Sequence, residues 1–335
     1  MPDKLNLGRL PTPIQPLPKL SNTVSKFGEV NLFVKRDDLS HGPAAGNKIR
    51  KLEFLFADAR RRSAKTVVTC GSEQSNHARA TAILARELGF ECALFLKKAS
   101  EGVPPIEGNL LLDHMCGATV NIISAAEYDD IARVYRSAQE LYRKRDGKLP
   151  YLIPEGGSND IGALGYCAAF EEIASQTAKN GLPARFDSII TANGSGGTHA
   201  GLLLGRNLAG CDDGCEIVTF NVLRTAEEMS ERVKKIMIAA IQNQRMPISF
   251  MPADIHVIDG YVAPGYARAN PELYDFIVRV AREDGLLLDA TYTGKALYGL
   301  VTELTASPER AKRFGKNVLF IHTGGLPSLF AHTAG

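Results

Sequence analysis

The sequence predicts an α/β protein built on two open, mostly parallel, twisted sheets with helices on both faces. Three observations predict this fold class. Short β-branched runs alternate with longer amphipathic stretches from Thr66 to the C-terminus, the short runs are almost continuously apolar, and the 335 residues suit two modest domains. Strand–helix alternation with apolar strands is typical of parallel sheets that are covered on both sides.

The alternation places the elements in order along the chain. The strands predicted from the apolar runs are Thr66–Thr69, Cys92–Leu96, Thr119–Ile123, Tyr151–Ile153, Ser188–Ala192, Ile217–Val222, Ile255–Ile258 and Val318–His322. Helical periodicity predicts the helices Ala78–Leu88, Ala125–Arg145, Ala163–Lys179, Thr225–Asn243 and Pro271–Glu283, and further helices opening at Lys48 and spanning His199–Leu208. About four strand–helix units between Lys51 and Asn159 suffice for a sheet of their own. We therefore predict a small domain over 51–159 and a large domain over 1–50 and 160–335.

Composition and charge narrow the classes of function. The 39 basic and 37 acidic side chains leave a net charge of +2, which gives no electrostatic reason to expect nucleic acid or an anionic membrane as partner. Six scattered cysteines form no disulfide framework, and Cys211 and Cys215 lack a second pair at metal-ligand spacing, so we expect no metal site. The first 19 residues contain no apolar signal core, and no run is long enough to span a membrane. We expect a soluble, cytoplasmic protein.

The loop Gly71–His77 joins a predicted strand to a predicted helix and is crowded with polar side chains, among them Ser75, Asn76 and His77. Free N–H groups at a helix N-terminus favour an anion, and a substrate carboxylate would suit this place. The plainer alternative is a helix cap made by Ser75 or Asn76 with solvated neighbours.

A second post-strand loop, Asn193–Thr198, contains Ser195, Gly196, Gly197 and Thr198 and opens a helix. Glycines let a backbone approach a phosphate closely, and the helix end supplies donors. The loop is neither the dinucleotide fingerprint nor a Walker A loop, and it predicts a phosphate site, with a tight turn as the alternative. The His322–Gly325 loop is a weaker signal of the same kind.

Lys48 follows a loop of small residues and opens a helix with apolar Ile49, Leu52 and Leu55. A lysine that forms a Schiff base must lose its proton, which burial or a nearby positive charge promotes, and we expect Arg50 and Lys51 to supply that charge. On composition alone, a solvated lysine on a helix surface is the commoner outcome.

Eight motifs together resemble those of fold-type II pyridoxal-phosphate (PLP) enzymes, whose fold is like that of the tryptophan synthase β-subunit. The similarity is greatest to the branch that holds D-cysteine desulfhydrase and 1-aminocyclopropane-1-carboxylate deaminase. In chain order the motifs are Val34–Asp38, Gly46–Glu53, Gln74–His77, Gly156–Asn159, Gly194–Thr198, Pro264–Tyr266, Tyr292–Lys295 and His322–Gly325.

The resemblance implies a PLP cofactor and a role for each matching residue. Lys48 would be the Schiff-base lysine, Lys51 and residues 195–198 would hold the phosphate, and Asn76 would bind the ring hydroxyl. Ser75, Asn76 and His77 would hold the carboxylate of a small amino-acid substrate. The remaining implied site residues are Tyr266 and Tyr292, as proton-handling groups, and Thr293 and Thr323, beside the cofactor ring. The resemblance also implies a homodimer.

Two positions separate the branches. The deaminase carries Glu where this chain has Thr293 and Leu where it has Thr323. A Glu beside the pyridine nitrogen would strengthen the electron sink, and opening a cyclopropane should need more of that assistance than expelling sulfide. We therefore expect β-elimination from D-cysteine to pyruvate, sulfide and ammonia, with the cyclopropane deaminase as an alternative.

The same motifs are also compatible with four further functions. They are L-cysteate sulfo-lyase, a non-catalytic PLP-binding protein, a racemase and a β-replacement synthase. Glu73, if it faces the pocket, would argue against a second anionic group such as the sulfonate of L-cysteate. Ala45, where the family usually has a second Gly before Gly46, and the strand-end motif Leu288–Tyr292, which lacks the Pro that the family usually has there, are further departures.

Overall fold

A computed structural model of the chain describes residues 2–99, 102–179, 181–211, 214–265 and 268–331. The described residues form ten strands, namely β1 Ile14–Pro16, β2 Asn31–Lys35, β3 Thr66–Ser72, β4 Glu91–Lys97, β5 Thr119–Ile123, β6 Tyr151–Leu152, β7 Ser188–Asn193, β8 Glu216–Asn221, β9 His256–Ile258 and β10 Asn317–Ile321. All eight strands predicted from the sequence are confirmed in position, with ends that differ by a few residues.

The described α-helices are α1 Pro18–Val24, α2 Asn47–Arg61, α3 Asn76–Leu88, α4 Gly108–Met115, α5 Ala125–Asp129, α6 Ile131–Asp146, α7 Asp160–Gln176, α8 Gly197–Leu208, α9 Ala226–Asn243, α10 Pro271–Asp284, α11 Thr293–Ala306 and α12 Pro308–Lys312. No helix among the described residues is both long and apolar enough to cross a membrane.

The strands form two sheets. The larger has the order β1-β2-β10-β7-β8-β9 and the smaller the order β5-β4-β3-β6. Every pair is parallel except β1 with β2, which is antiparallel. The prediction of two mostly parallel sheets is thus confirmed. Its physical basis is that strands with near-continuous apolar residues need cover on both faces.

Both sheets have an apolar layer on each face. On the larger sheet, Val34, Ile190 and Phe320 belong to one buried cluster, with side chains of α1, α10 and α11. Their strand neighbours, represented by Phe33 and Ile189, belong to a second cluster with α7, α8 and α9. On the smaller sheet, α2 and α3 cover one face and α6 the other. This alternation follows from the two-residue period of a strand.

The structure corrects two predictions about secondary structure. The single helix predicted over Ala125–Arg145 is divided at Asp130, whose backbone leaves the helical region, and the side chain of Asp130 caps the second helix by accepting from the Arg133 N–H at 3.3 Å. The first 65 residues also hold two strands, β1 and β2, that the alternation pattern missed. β1 is only three residues long and lies at the sheet edge, where strand residues are less buried and the sequence therefore shows little apolar pattern.

Candidate active site

A cavity of about 480 Å³ lies where loops at the carboxyl ends of both sheets meet. Such crevices are where ligands bind in open parallel sheets. The sequence-predicted site residues that line it are Lys48, Ser75, Asn76, His77, Ser195, Gly196, Thr198, Tyr292 and Thr323. Lys51, Gly197 and Thr293 do not line the cavity and are buried next to it. Tyr266 lies outside the described residues.

Lys48 stands at the first turn of α2 and projects into the cavity. The turn before it depends on Gly46, whose φ of +127° suits glycine and whose added Cβ would lie 2.7 Å from the carbonyl oxygen of Thr323. The Lys48 ammonium donates to Asn47 Oδ1 at 2.9 Å. Burial, and after it the charge of Arg79, lower the pKa of Lys48 to about 8, although Asp289 and Glu155 oppose the shift. A substantial fraction of this amine is therefore the free base in mildly alkaline solution.

The expectation that Arg50 supplies the charge beside Lys48 is wrong. Arg50 points to the opposite side of α2, where its guanidinium donates to both oxygens of Asp37 at 2.8 and 2.9 Å and to Glu172 at 2.9 Å. A helix turns by about 100° per residue, so a neighbour two positions away faces nearly the reverse direction. The charge comes instead from Arg79, which no motif in the sequence indicated.

Lys51 and the loop 194–198 form an anion cradle, which we define as Lys51, Ser158 and residues 194–198. The buried Lys51 ammonium donates to the Gly156 carbonyl at 3.2 Å and to Ser158 Oγ at 3.1 Å. No carboxylate in the described part of the chain pairs with it. Burial and the neighbouring charge of Lys48 lower the pKa of Lys51. A buried amine with only neutral partners is costly unless an anion joins it.

The glycines of the cradle bring its parts together. A Cβ on Gly197 would lie 2.6 Å from Ser158 Oγ and 2.9 Å from Lys51 Nζ, so no larger residue fits there. Helix α8 begins at Gly197, and Thr198 accepts a hydrogen bond from Asn47 at 3.1 Å. A helix N-terminus, hydroxyls and a buried ammonium are the donor set that a phosphate group requires, so the cradle fits the phosphate of the expected cofactor.

The loop after β3 forms the helix cap that its sequence offered as one alternative, and it also lines the cavity. Ser75 is the N-cap of α3 and accepts from the Ala78 N–H at 3.2 Å, and it also lines the cavity. Asn76 Oδ1 accepts from Asn109 Nδ2 at 3.0 Å. His77 Nε2 lies 2.9 Å from Thr69 Oγ1, and burial and the charges of Lys48 and Lys51 lower the pKa of His77 well below its usual range. This imidazole is neutral near pH 7.

Tyr292 and the threonines lie on the side of the larger sheet. The Tyr292 ring packs against Gly194, where an added Cβ would come within 2.9 Å of it. Thr323 lines the cavity, whereas the buried Thr293 hydroxyl donates to Asp289 Oδ1 at 2.6 Å. Asp289 is itself fully buried, and its other oxygen has no hydrogen-bond partner among the described residues. Sequence reasoning missed Asp289, Asn47 and Ser158, although Asn47 and Ser158 belong to two of the eight motifs.

The outer part of the cavity is rich in cations. Lys97 and Lys98 from the end of β4, and Arg224 and Arg268 from the larger-sheet side, are among the lining residues. Glu155 also lines it, and its carboxylate accepts from Arg224 and Arg232, each at 3.2 Å. Glu73 is not a lining residue, because its carboxylate accepts from the Ala99 N–H at 3.2 Å.

Comparisons with known proteins agree with this geometry. Residues 5–324 match the family described as "Pyridoxal-phosphate dependent enzyme". The chain is 39% identical over 331 residues to a "Putative 1-aminocyclopropane-1-carboxylate deaminase" of Thermotoga maritima, covering 98% of each chain. It is also 39% identical over 332 residues to a "D-cysteine desulfhydrase" of Yersinia enterocolitica, covering 98% of this chain and 96% of that one.

Among solved structures, one described as an "ACC deaminase homologue" superposes with a TM-score of 0.85 at 35% identity, covering 98% of this chain and 93% of the other. At that coverage the shared fold includes both sheets.

Proposed function

The chain belongs to the family of pyridoxal-phosphate-dependent enzymes, and from that premise we propose that it catalyses β-elimination from D-cysteine. The reaction converts D-cysteine and water into pyruvate, hydrogen sulfide and ammonia. One observation carries this proposal: a single cavity joins an amine of lowered pKa, Lys48, to the anion cradle and to the polar loop that begins at Ser75. These three features are what a PLP lyase needs within one pocket.

Each group has a role that its surroundings support. The anion cradle binds the cofactor phosphate, and Lys48 holds the cofactor covalently between turnovers. Asn76 donates to the ring hydroxyl, because its carbonyl is already occupied by Asn109. Thr323 lines the cavity and would supply a neutral hydroxyl to the cofactor ring, while the buried Thr293 hydroxyl donates to Asp289. When bound, the cofactor acts as the electron sink for the bond broken at Cα.

The proton transfers belong to the chain's own side chains. Lys48 would act as the base for the Cα proton, since its amine has a lowered pKa and lies in the same cavity as the loop that begins at Ser75. Ser75 and the first N–H groups of α3 bind the substrate carboxylate, and His77 lies beside them as a neutral ring whose one N–H is donated to Thr69 Oγ1. Tyr292 and Tyr266 handle the proton that the leaving sulfide takes. The C–S bond breaks, and water then replaces the nitrogen to give the keto acid.

The choice of D-cysteine over the cyclopropane substrate rests on Thr293 and Thr323. Both side chains carry a neutral hydroxyl, and the Thr293 hydroxyl already donates its proton to Asp289. Neither residue therefore supplies the negative charge that would keep the ring nitrogen protonated. The relatives are named for both activities. Elimination of sulfide needs the weaker electron sink of the two reactions, which favours the desulfhydrase.

The test is product release from purified, cofactor-loaded protein offered D-cysteine, L-cysteine, β-chloro-D-alanine and 1-aminocyclopropane-1-carboxylate. Pyruvate from D-cysteine is the expected result. 2-Oxobutyrate from the cyclopropane as the main product would overturn the choice of substrate. A change of optical rotation without keto acid would indicate racemisation. Formation of cysteine from O-acetylserine and added sulfide would indicate β-replacement. Cofactor binding without turnover would indicate a PLP carrier.

A second candidate substrate is an amino acid whose β-substituent carries its own negative charge, such as L-cysteate. The observation that favours it is the presence of Lys97, Lys98 and Arg268 among the residues that line the cavity, beside Arg224, whose charge is paired with Glu155. The objection raised by Glu73 does not apply, because that carboxylate is bound to the Ala99 backbone. Sulfite release from L-cysteate at a higher kcat/KM than sulfide release from D-cysteine would make this the principal reaction.

We further propose a cytoplasmic homodimer with a small domain over 51–159 and a large domain formed by the rest. The small-domain range contains all four strands of the smaller sheet, and the six cysteines are unpaired thiols, which suits a reducing compartment. A molar mass twice that of the chain in light scattering is the expected result for the assembly.

A further inference from the structure

Arg79 is a buried cation for which the proposed reaction has no use. It lies on α3, one turn after Asn76, and its side chain is 1% exposed. One guanidinium nitrogen donates to the Ala45 carbonyl at 3.0 Å, while the Nε has no hydrogen-bond partner among the described residues. Burying a guanidinium with one neutral partner raises the free energy of the folded state, so a functional role would explain its position.

Asp113, on α4, is the carboxylate whose charge acts on Arg79, and it does not neutralise Arg79 by contact. Its side chain is fully buried, and both carboxylate oxygens lack hydrogen-bond partners in the described part of the chain. Burial raises the pKa of Asp113 well above its usual range, against the opposing charge of Arg79. A buried carboxyl without donors favours its protonated form.

The position of Arg79 relates it to Lys48. Ala45, whose carbonyl it holds, precedes the Gly46 turn from which Lys48 enters the cavity. The charge of Arg79 is also the largest contribution after burial to the lowered pKa of Lys48. Both the contact and the charge therefore act on the same lysine from a second helix.

We propose that Arg79 is a positioning residue for Lys48, because its hydrogen bond to the Ala45 carbonyl fixes the turn from which Lys48 enters the cavity, and because its buried guanidinium contacts no carboxylate in the described part of the chain. The inference rests on the proposed role of Lys48. Further charged or titratable groups also act on this pair. Asp289, Glu155, Lys51 and His77 interact with Lys48, and Cys92 and Cys116 interact with Asp113.

The experiment compares wild type with Arg79→Met, Arg79→Lys and Asp113→Asn as cofactor-loaded full-length proteins. The visible absorption is titrated with pH to follow the proton on the Lys48 nitrogen. After removal of the cofactor, the pH dependence of Lys48 acylation is measured by peptide mapping. Arg79→Met is expected to raise both pKa values by about one pH unit. Arg79→Lys, which retains the charge, is expected to restore most of the shift.

Asp113→Asn separates a charged from a protonated carboxyl, since asparagine is a permanently neutral replacement of the same size. We expect no shift in either titration. A fall in the pKa of Lys48 would mean that Asp113 is ionised and compensates Arg79, and would overturn the proposal, as would an unshifted Arg79→Met variant. If Arg79→Met does not fold, Arg79→Gln, which also removes the charge but keeps a donor for the Ala45 carbonyl, takes its place: a raised pKa of Lys48 supports the proposal and an unshifted one overturns it.

A failure of the proposed function gives a different signature. Borohydride reduction of the wild type, followed by peptide mapping, locates the covalent attachment of the cofactor. An adduct on another lysine removes the proposed function, while the acylation of Lys48 in the cofactor-free protein still tests Arg79.

Discussion

Helix α2 carries basic residues on two sides, and the surroundings of the two sides differ. On the side away from the cavity, Arg50 is held by Asp37 and Glu172, and Lys35 of the neighbouring strand pairs with the same glutamate. On the cavity side, Lys48 and Lys51 contact only neutral oxygens in the described structure. Both sides belong to the first turn of the same helix.

The difference separates charges that build the fold from charges that await a ligand. The paired set has its carboxylates in place, which makes burial of Arg50 tolerable. The unpaired set has no carboxylate in contact with it, so burial lowers the pKa values of both amines. A partly deprotonated Lys48 suits covalent and proton-transfer chemistry, whereas an anion bound in the cradle would favour the charged form of Lys51. Substitutions on the two sides should therefore have different readouts.

The largest effect is expected for Lys48→Ala. Turnover of D-cysteine should fall by about 10³-fold or more, because the variant loses both the covalent attachment and the base. Circular dichroism and the melting temperature should stay close to wild type. Lys65→Ala, at an exposed position, is the control. Activity of Lys48→Ala comparable to that control would remove the central assignment.

Asp37→Asn tests the paired side. It leaves Arg50 with one carboxylate, and the free energy of unfolding should fall by about 3 kcal/mol. Burial alone would raise the pKa of Asp37, but the charge and hydrogen bonds of Arg50 lower it overall. This carboxylate therefore stabilises the fold above its unfolded pKa, and the stabilisation is lost as pH falls through its folded pKa. Chemical denaturation across the acid range should show a steeper loss for wild type than for the variant.

Lys51→Gln tests the anion cradle. Loss of one charge-assisted hydrogen bond should weaken cofactor binding by about 10- to 100-fold. Equilibrium dialysis or quenching of protein fluorescence by the cofactor measures this, with Lys65→Gln as the control. Excess cofactor should restore turnover, because Lys48 is intact. Unchanged affinity would place the phosphate somewhere other than the cradle.

The smallest effect concerns pH. Because only the deprotonated amine of Lys48 acts as base, kcat for D-cysteine should rise with pH, with the midpoint of the rise near pH 8. Asp37→Asn should leave this limb where it is in wild type. A shift of the limb in Asp37→Asn would show that the two sides of α2 are electrically coupled, and the contrast between them would then be a matter of degree.

Much of the fold and part of the site follow from local sequence. Apolar runs of strand length predicted the eight strands from Thr66 onward, since a strand buried on both faces must be apolar throughout. Ser195 and Thr323 follow strands of one parallel sheet, and residues after such strands meet at one edge, so their proximity was predictable. Ser75 follows a strand of the smaller sheet, and only the packing of the two sheets brings its loop to the same cavity.

Tertiary structure alone decided which charges meet. Arg79 lies 31 residues from Lys48, Asp113 comes from a helix that the periodicity missed, and Glu172 reaches Arg50 from a helix that covers the larger sheet. Such pairings depend on how helices pack across a sheet, and the periodicity of hydrophobic residues within one helix does not determine that packing. The sequence determined that Lys48 begins a helix and that a glycine-rich loop follows a later strand; the packing of α3 against α2 placed Arg79 where its charge, together with burial, lowers the pKa of Lys48 to about 8.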